Sequence, residues 1–432
     1  MFKKEILNDT SSSLKNRLFF LLFAFIVYRI GSHIPVPGLD SSKFANIFSS
    51  GDGGILGLFN LFSGGSLSRS TIFALGVVPY ISSTIIIQLL TAVWAPLSQL
   101  QKEGNYGKRK LSQYTRYLTL LLSFLQAPGM VKYIIGSDIE GNIFIYYFIV
   151  SITLVTGTIF LMWLGEQITE KGVGNGISLI IFIGIVANLP DFFEKIFNRV
   201  KQGEMHFFIV FLIFLFLFVL IFFIVFVEKA QRKIVVNYAK RQHGRKMYAA
   251  QKSYLPLKIN MSGVYPPIFA SSILLFPITI YQFFGNYENS GYLYKIIDIL
   301  SPGQPLYIFL YGFGIIFFCF FYTALVFSPK ETANDLKKSG GFLPGIRPGE
   351  QTSFYIDKVV MRLTVINSLY LTFISLSPEF LALFIGVSLS FGGTSLLIMV
   401  VVIMDFIANI QTQLMSKQYE NLMKKSKLRG LN

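Results

Sequence analysis

Ten long apolar stretches, each close to the roughly 20 residues that a helix needs to cross a bilayer, constrain this chain more than any other feature of its sequence. Of the 432 residues, 53% are apolar and only 14% are charged, whereas a soluble domain carries about 25% charged residues. So few charges exclude a soluble enzyme of this length. The sequence therefore predicts an all-α polytopic membrane protein with short loops.

The apolar stretches are bounded by charges or by Gly and Pro clusters, and we predict each as a membrane-spanning helix. The first five lie at 18–36, 72–92, 112–131, 143–165 and 177–195. The second five lie at 206–228, 262–284, 305–327, 360–378 and 393–413. Because each set has an odd number of spans, the second set crosses the membrane in the opposite direction, which permits two inverted five-helix halves. No residue-level repeat adds support to that symmetry.

The basic residues predict the orientation of the spans. Counted with the span flanks, 30 of the 38 Lys and Arg lie on the side that holds both termini, 7 lie on the other side, and Arg29 lies within the first span. Lys and Arg concentrate in cytoplasmic loops. Both termini are therefore predicted to be cytoplasmic.

The predicted spans divide the chain into eight segments. They are a cytoplasmic N-terminal segment 1–17, a first five-helix half 18–198, a sixth span with its preceding outer loop 199–228, a basic cytoplasmic loop 229–261, spans seven and eight 262–327, a second basic cytoplasmic loop 328–359, spans nine and ten 360–413, and a cytoplasmic tail 414–432. The two basic loops are too long to be mere connectors.

Residues for hydrolytic or transfer chemistry are missing from the sequence. It has no phosphate loop, zinc protease helix, nucleophile elbow or pair of acid–base carboxylates. One cysteine and three histidines cannot build a disulfide framework or a zinc cluster. Gly172, Gly174 and Gly176 follow a span and lack an acidic ribose partner, so we interpret them as a flexible turn. We therefore predict no enzyme activity, catalytic residue, cofactor or metal.

Six segments, in order along nearly the whole chain, resemble the SecY family, the channel subunits of the bacterial general protein-secretion translocon. They are SRSTIFALGVVPYISSTIIIQLLT from Ser68, MWLGEQITEKGVGNGISLIIF from Met162, NYAKRQHGRKMYAAQKSYLPLKIN from Asn237, GVYPPIFASSILLFP from Gly263, ETANDLKKSGGFLPGIRPGEQT from Glu331 and FGGTSLLIMVVVIMDF from Phe391. The resemblance implies a central hourglass pore between the two halves.

The resemblance also implies a ring of apolar side chains that closes the waist of the pore. Its members are Val77, Ile81, Ile177, Ile181, Ile268 and Ile398. A narrow aliphatic constriction excludes water and ions, yet it yields around an extended polypeptide without selecting one sequence. Residues four apart share a helix face, as in the pairs 77/81 and 177/181. Ordinary helix packing produces the same spacing, and this alternative stays open.

A glycine-bounded stretch between the first two spans is too short to cross the membrane and too apolar for a free outer loop. Such a segment is predicted to be re-entrant, buried in protein or lining a cavity. By the resemblance it is the plug of the resting channel, at 54–66, with Leu58, Phe59, Asn60, Leu61 and Phe62 at its centre. An interfacial loop is the alternative.

Spans two and seven carry prolines and small polar residues that are typical of a seam between helices. Pro79, Pro266, Pro267 and Pro277 are predicted to bend them. The resemblance implies a lateral gate, formed with spans three and eight, through which hydrophobic segments reach the lipid. The polar gate residues are Ser82, Ser83, Thr84, Gln88, Ser271 and Ser272. Routine small-residue packing is the alternative for any one serine.

The long basic loops are, by the resemblance, the docking surface for the ribosome and for the SecA motor ATPase, with Arg245, Lys246 and Arg347 as leading contacts. Pro and Gly on both sides of Arg347 predict a tight, projecting turn. Positive-inside topology alone also explains single basic residues. Ribosomal RNA is a phosphate polymer, so binding to it is expected to weaken steeply with salt.

The resemblance implies that the chain is the central protein-conducting channel subunit of a Sec translocon in the bacterial inner, or plasma, membrane. It would pass unfolded, signal-peptide-bearing preproteins outward and insert membrane proteins into the lipid bilayer. The implied membrane partners are SecE, which clamps the halves, and SecG. A solute transporter is the rival, but only Arg29 and Asp405 lie well inside predicted spans, and such sites need ionisable groups there. A membrane scaffold that never opens a pore is the second rival.

Overall fold

The computed structural model of the protein describes residues 2–37, 60, 63–135, 143–203, 206–238, 241–243, 246–248, 252–284, 304–385 and 392–429. Most of these residues are helical. The helices are α1 Phe2–Gly31, α2 Val78–Val93, α3 Ala95–Lys102, α4 Asn105–Ile135, α5 Ile143–Lys171, α6 Gly176–Ala187, α7 Leu189–Lys201, α8 Phe207–Lys229, α9 Tyr265–Phe284, α10 Pro305–Val326, α11 Pro329–Ser339, α12 Glu350–Ile385 and α13 Gly393–Arg429.

Five short strands lie in the two long basic loops. They are β1 Gln231–Tyr238, β2 Arg241–His243, β3 Lys246–Tyr248, β4 Lys252–Lys258 and β5 Gly341–Phe342. The sequence prediction of a purely helical fold missed them.

Within the described residues, six helical stretches are long and apolar enough to cross a membrane. They are Phe144–Lys171, Gly176–Lys201, Phe207–Lys229, Pro305–Ser339, Glu350–Phe380 and Gly393–Ser416. The pair α2 and α3, bent by 100° at Trp94, supplies a seventh if it counts as one span. Helices also occupy the other predicted spans, at 18–36, 112–131 and 262–284, so the fold agrees with the predicted ten spans.

The chain divides into two compact units. Unit 1 contains Met1–Phe207, Leu275–Pro302 and Ile398–Asn432, and unit 2 contains Phe208–Leu274 and Gly303–Leu397. In unit 1, glycines let helices approach closely. A Cβ on Gly157 of α5 would lie against the Ile72 carbonyl, and one on Gly176 of α6 would lie against the Gly165 carbonyl. The small residues therefore place α5 and α6 in direct backbone contact.

Unit 2 contains a three-stranded antiparallel sheet in the order β4, β1, β5. In its register Gln231 pairs with Lys258 and Asn237 pairs with both Lys252 and Phe342. One face of β1 and β4 packs against α12 in an apolar core. The buried members of that core are Ile234, Val236, Leu257, Leu343, Ile356, Val360 and Leu363. Alternate strand residues point to opposite faces, which is why Ile234 and Val236 are buried while Val235 is exposed.

The second predicted span differs from its helix. We predicted helix from residue 72, but residues 72–77 form turns and α2 begins at Val78, so that start is wrong. Gly76 has a φ of +57°, which glycine adopts more readily than other residues and which interrupts a right-handed helix. Apolar content alone did not reveal this interruption.

The predicted bends at prolines are also wrong for three of the four prolines. Pro79 lies in the first turn of α2, and Pro266 and Pro267 lie in the first turn of α9. The first-turn amides have no intrahelical acceptor, so a proline there removes no hydrogen bond and favours helix initiation. Pro277 alone lies inside α9.

Candidate functional site

The first pair of predicted ring residues lies where α2 begins. Val77 is the N-cap residue, only 2% exposed, and its carbonyl accepts a hydrogen bond of 3.0 Å from the Ile81 amide. The two residues are therefore one helical turn apart, although Val77 itself precedes the helix. Ile81 is half-buried on the first turn of α2.

The second pair lies on α6, whose start is fixed by side chains. The Asn175 Oδ1 accepts from the Ile177 amide at 3.1 Å, which is a standard N-cap bond. The Gly176 amide donates to Thr169 Oγ1 at 2.8 Å and ties α6 to the end of α5. Ile181 is buried one turn after Ile177.

Ile268 on α9 and Ile398 on α13 are both buried. The structure thus places all six predicted ring residues at the ends or inside of helices, and four of the six are buried. Within each of the pairs 77/81 and 177/181, the two residues lie one helical turn apart. The meeting of all six around one pore stays a prediction.

Three of the five predicted gate hydroxyls hydrogen-bond within their own helices. Ser83 Oγ donates to the Pro79 carbonyl at 2.7 Å, and Thr84 Oγ1 donates to the Tyr80 carbonyl at 2.9 Å. Ser271 Oγ donates to the Ile268 carbonyl at 2.9 Å. Such bonds satisfy a hydroxyl donor on an apolar helix without a partner on another helix.

The remaining polar gate residues are Ser82, Gln88 and Ser272, which are half-buried. The Gln88 Oε1 is a buried acceptor with no hydrogen-bond partner among the described residues. A buried amide oxygen without a donor is costly, so this position gains from any polar group that reaches it.

Of the five residues at the centre of the predicted plug, only Asn60 lies within the described residues, and Leu58, Phe59, Leu61 and Phe62 lie outside them. Residues 63–66, the end of the predicted plug, are described. Asn60 bonds to the chain that follows it. Its carbonyl accepts from the Gly65 amide at 2.9 Å, and its Oδ1 accepts from the Ser68 amide at 3.0 Å. Asn60 is therefore held by the backbone amides of Gly65 and Ser68.

The following stretch, which we call the Ser63–Val77 segment, consists of buried turns bonded to α1 and to the residues after it. The Tyr28 hydroxyl donates to the Ser63 carbonyl at 3.2 Å. The Val36 amide donates to the Ser70 carbonyl at 2.9 Å, and Pro35 forms an isolated bridge with Thr71. Sequence reasoning did not single out Tyr28, because one tyrosine in an apolar helix carries no pattern.

Two glycines allow the Ser63–Val77 segment to touch α6. Gly64 has a φ of +68°, and a Cβ there would lie 2.7 Å from the Tyr28 hydroxyl and 2.8 Å from the Gly184 Cα. The segment therefore packs backbone to backbone, and there is no room for a side chain at Gly64.

The turn around Arg347 has the form that the sequence predicts, while its docking role stays a prediction. Arg347 is exposed, and its carbonyl accepts from Thr352 Oγ1 at 2.9 Å. Gly345 has a φ of +78° and Gly349 a φ of +113°, which are conformations that favour glycine. Lys246 begins β3 opposite His243, its side chain lies outside the described part, and Arg245 lies outside it entirely.

A cluster that sequence reasoning missed lies in unit 2. Five buried polar residues, which we call the polar knot, come from α8, the β4–α9 junction, α10 and α12. They are Glu228, Asn260, Ser262, Cys319 and Asn367. Because they come from four distant stretches of sequence, no local spacing could have revealed them.

A family model described as SecY matches residues 71–407. The protein translocase subunit SecY of Escherichia coli strain K12 is 56% identical over 427 residues, which are 96% of this chain and 95% of that protein. The subunit of the same name from Vibrio cholerae is 56% identical over 429 residues, which cover 97% and 96%.

Solved structures show the same fold. One described as the structure of a protein conducting channel matches with a TM-score of 0.66 at 19% identity, over 94% of this chain and 93% of that one. One described as Sec61 in the canine ribosome-channel complex from the endoplasmic reticulum matches with a TM-score of 0.63 at 20% identity, over the same shares. At identities this low the likeness is one of fold alone.

Proposed function

Because the chain belongs to the SecY family, it is a multi-pass membrane protein and a protein translocase subunit, and we propose how its own residues conduct polypeptides. The observation that carries the proposal is the match to relatives more than half identical over nearly the whole chain. So extensive a match includes all six segments on which the channel interpretation rests.

The apolar ring is the proposed seal. Four of its six members are buried, and none carries a polar group that could hold water. An aliphatic constriction dewets when it is empty, because water gains no hydrogen bonds inside it. An extended polypeptide breaks no sequence-specific contacts in the ring, so the ring passes many sequences. At rest, the dewetted ring blocks ions.

The plug and the gate complete the proposed channel. Residues 54–66 would cover the ring on its outer side, and the Ser63–Val77 segment would anchor them to α1 and α6. Apolar signal and membrane segments would leave sideways at α2 and α9. Ser83 and Ser271 donate within their own helices, so an arriving hydrophobic segment would break neither of these hydrogen bonds.

The cytoplasmic loops supply the proposed docking surface for SecA and for the ribosome. Arg347 projects from a turn whose two glycines fix its shape. An exposed guanidinium on a rigid turn contacts carboxylates or phosphates at little entropic cost. The motor or the ribosome supplies the energy, SecE and SecG complete the membrane complex, and the bacterial plasma membrane holds it with both termini in the cytoplasm.

Translocation into proteoliposomes tests this function. The chain would be reconstituted with SecE and SecG, and then given SecA, ATP and a radiolabelled preprotein, with Arg347→Glu and Lys338→Glu compared with the parent. Lys338 is exposed and basic but lies at the end of α11, outside the turn. We expect protease-protected preprotein with the parent and with Lys338→Glu, and its loss with Arg347→Glu. No protection with any of the three would contradict the channel function.

A scaffold that never opens a pore predicts a different result for the ring. Replacing Ile81 or Ile181 with Asn places a hydrogen-bonding group in the constriction, and water then enters. We expect ion leakage through the resting channel to rise in both variants. Unchanged leakage would favour the scaffold.

A further inference from the structure

The polar knot joins four separate stretches of unit 2, and the proposed channel gives it no role. All five side chains are at least nine-tenths buried. In an apolar environment such groups depend on hydrogen-bond partners within the protein. Their arrangement therefore fixes the relative positions of the backbones that carry them.

The bonds of the knot are closely connected. Asn367 Nδ2 donates to Ser262 Oγ at 2.8 Å and lies 3.3 Å from Cys319 Sγ. Asn260 Nδ2 donates to Glu228 Oε2 at 2.9 Å. Ser262 Oγ donates to Asn260 Oδ1 at 3.4 Å and lies 3.6 Å from Cys319 Sγ. Ser262 is thus bonded to α10, to α12 and to its own junction at once.

Ser262 lies in the short connection between β4 and α9, so its bonds affect how α9 is held. The strand β4 ends at Lys258 and α9 begins at Tyr265, so the knot holds the whole connection between them. Gly263 turns the chain with a φ of +61°, and the first turn of α9 follows with two prolines, whose φ is fixed. The connection has little freedom of its own.

The same connection continues into the sheet on its other side. Leu257, one residue before the end of β4, is buried in the core that the sheet forms with Ile356 and Val360 of α12. The base of α9 is therefore tied to α12 twice, by the apolar core below the knot and by Asn367 within it. Because both ends of the connection are held in place, a displacement of the sheet would be passed on to α9.

From this geometry, and resting on the channel function proposed above, we infer that Asn260, Ser262 and Asn367 are positioning residues for the gate helix α9. The knot stays bonded while the gate opens, so the base of α9 moves together with α10 and α12. Movement at the cytoplasmic sheet thereby reaches the gate helix through the knot. The alternative is a knot that breaks when the gate opens.

The native cysteine allows a direct test. Cys319 is the only cysteine in the sequence, and Ser262→Cys would place a second sulfur next to it, within reach of a disulfide after small side-chain rotations. Oxidation would then lock the base of α9 to α10. Asn367→Cys is a second candidate lock between α12 and α10; because its sulfur would sit one bond short of Asn367 Nδ2, which lies 3.3 Å from Cys319 Sγ, its disulfide yield is measured first.

Each variant would be oxidised in proteoliposomes, freed of oxidant, and given SecA, ATP and a cysteine-free preprotein. Thiol labelling after denaturation measures disulfide formation, and Ser262→Cys with Cys319→Ala controls for the oxidant. We expect the oxidised and reduced variants to translocate equally. Loss of translocation on oxidation, restored by a reductant, would overturn the inference. Absence of translocation by the parent would instead overturn the channel function itself.

A second measurement separates positioning from mere stability. Asn367→Leu removes the bond to Ser262, while Ser368→Ala removes a buried hydroxyl of the same helix that donates only to the Val365 carbonyl. With α9 loosened, Asn367→Leu should raise translocation of a preprotein with a defective signal segment, relative to an intact one, by about threefold, a modest coupling effect. An equal fall in the translocation of both preproteins would indicate that the knot has a purely structural role.

Discussion

Two non-helical regions of the chain are stabilised in different ways. The sheet of unit 2 packs large aliphatic side chains, such as Ile234, Leu257 and Ile356, into a shared core. The Ser63–Val77 segment of unit 1 also buries apolar side chains, such as Phe73, but it differs in its close glycine contacts and in the bond from the Tyr28 hydroxyl.

This difference predicts which of the two regions tolerates amino-acid substitutions. A core of many side chains spreads its energy over many contacts, so the exposed face of the sheet is free to vary and to meet partners. A segment packed backbone to backbone has no space for additional atoms, so even one added methyl group would clash with its neighbours. We expect substitutions to separate the two regions in this order of effect.

The largest effect is expected at Gly64. A valine there would take a left-handed conformation and would press on Tyr28 and on the Gly184 backbone. We expect a loss of about 4 kcal/mol in the free energy of unfolding, from left-handed strain and overpacking together. Unfolding in detergent and ion leakage in liposomes would measure it.

The matched control for Gly64 is Gly104. It has a similar φ of +72°, but nothing lies within 4 Å of an added Cβ. Gly104→Val should therefore cost only the strain, about 1–2 kcal/mol. Equal losses at the two sites would show that the contact with α6 contributes nothing.

The next effect is expected in the sheet core. Leu257→Ala removes a side chain that is buried against α12 and should cost about 3 kcal/mol, the usual range for a buried leucine. Hydrogen exchange should show the loss first in the amides that pair β1 with β4. Unchanged protection of those amides would mean that the core does not hold the sheet.

A smaller effect is expected at Tyr28. Tyr28→Phe keeps the ring and removes the donor to the Ser63 carbonyl, so we expect a loss of about 1 kcal/mol. The Ser66 amide also reaches that carbonyl, at 3.4 Å, which limits the cost. A loss as large as that of Gly64→Val would make the hydroxyl, and not the glycine contact, the main anchor.

The smallest effect is expected on the open face of the sheet. Val235 points away from the core and is exposed. Val235→Ser should change the free energy of unfolding by less than about 0.5 kcal/mol, as surface substitutions usually do. A loss comparable to that of Leu257→Ala would indicate that the face is covered.

The sequence allowed accurate prediction of features that depend on composition or on short motifs. Long apolar stretches predict helices at all ten spans, since a helix satisfies its backbone groups in lipid within its own segment. Pro and Gly around Arg347 predicted a projecting turn, and the structure has it.

Features that depend on contacts between distant residues were not predictable. The polar knot joins Glu228 to Asn367 through residues of four segments, and each residue alone looks like an ordinary polar residue near a span. The turns at 72–77 are as apolar as a helix and were mistaken for one. Ile234, Val235 and Val236 of β1 are consecutive apolar residues, so the sequence shows no alternation there, and the charged and amide residues on both sides give no sign of a strand.

Cross-linking of a translocating chain tests the central claim most directly. A photoreactive residue would replace Ile181 of the proposed ring in one variant and Phe218, an exposed apolar residue of α8, in another. A preprotein arrested halfway by a folded C-terminal domain would then be irradiated in the presence of SecA and ATP. We expect a cross-link from position 181 and none from position 218. Efficient translocation with no cross-link at 181, or with equal cross-links at both positions, would contradict passage through the apolar ring.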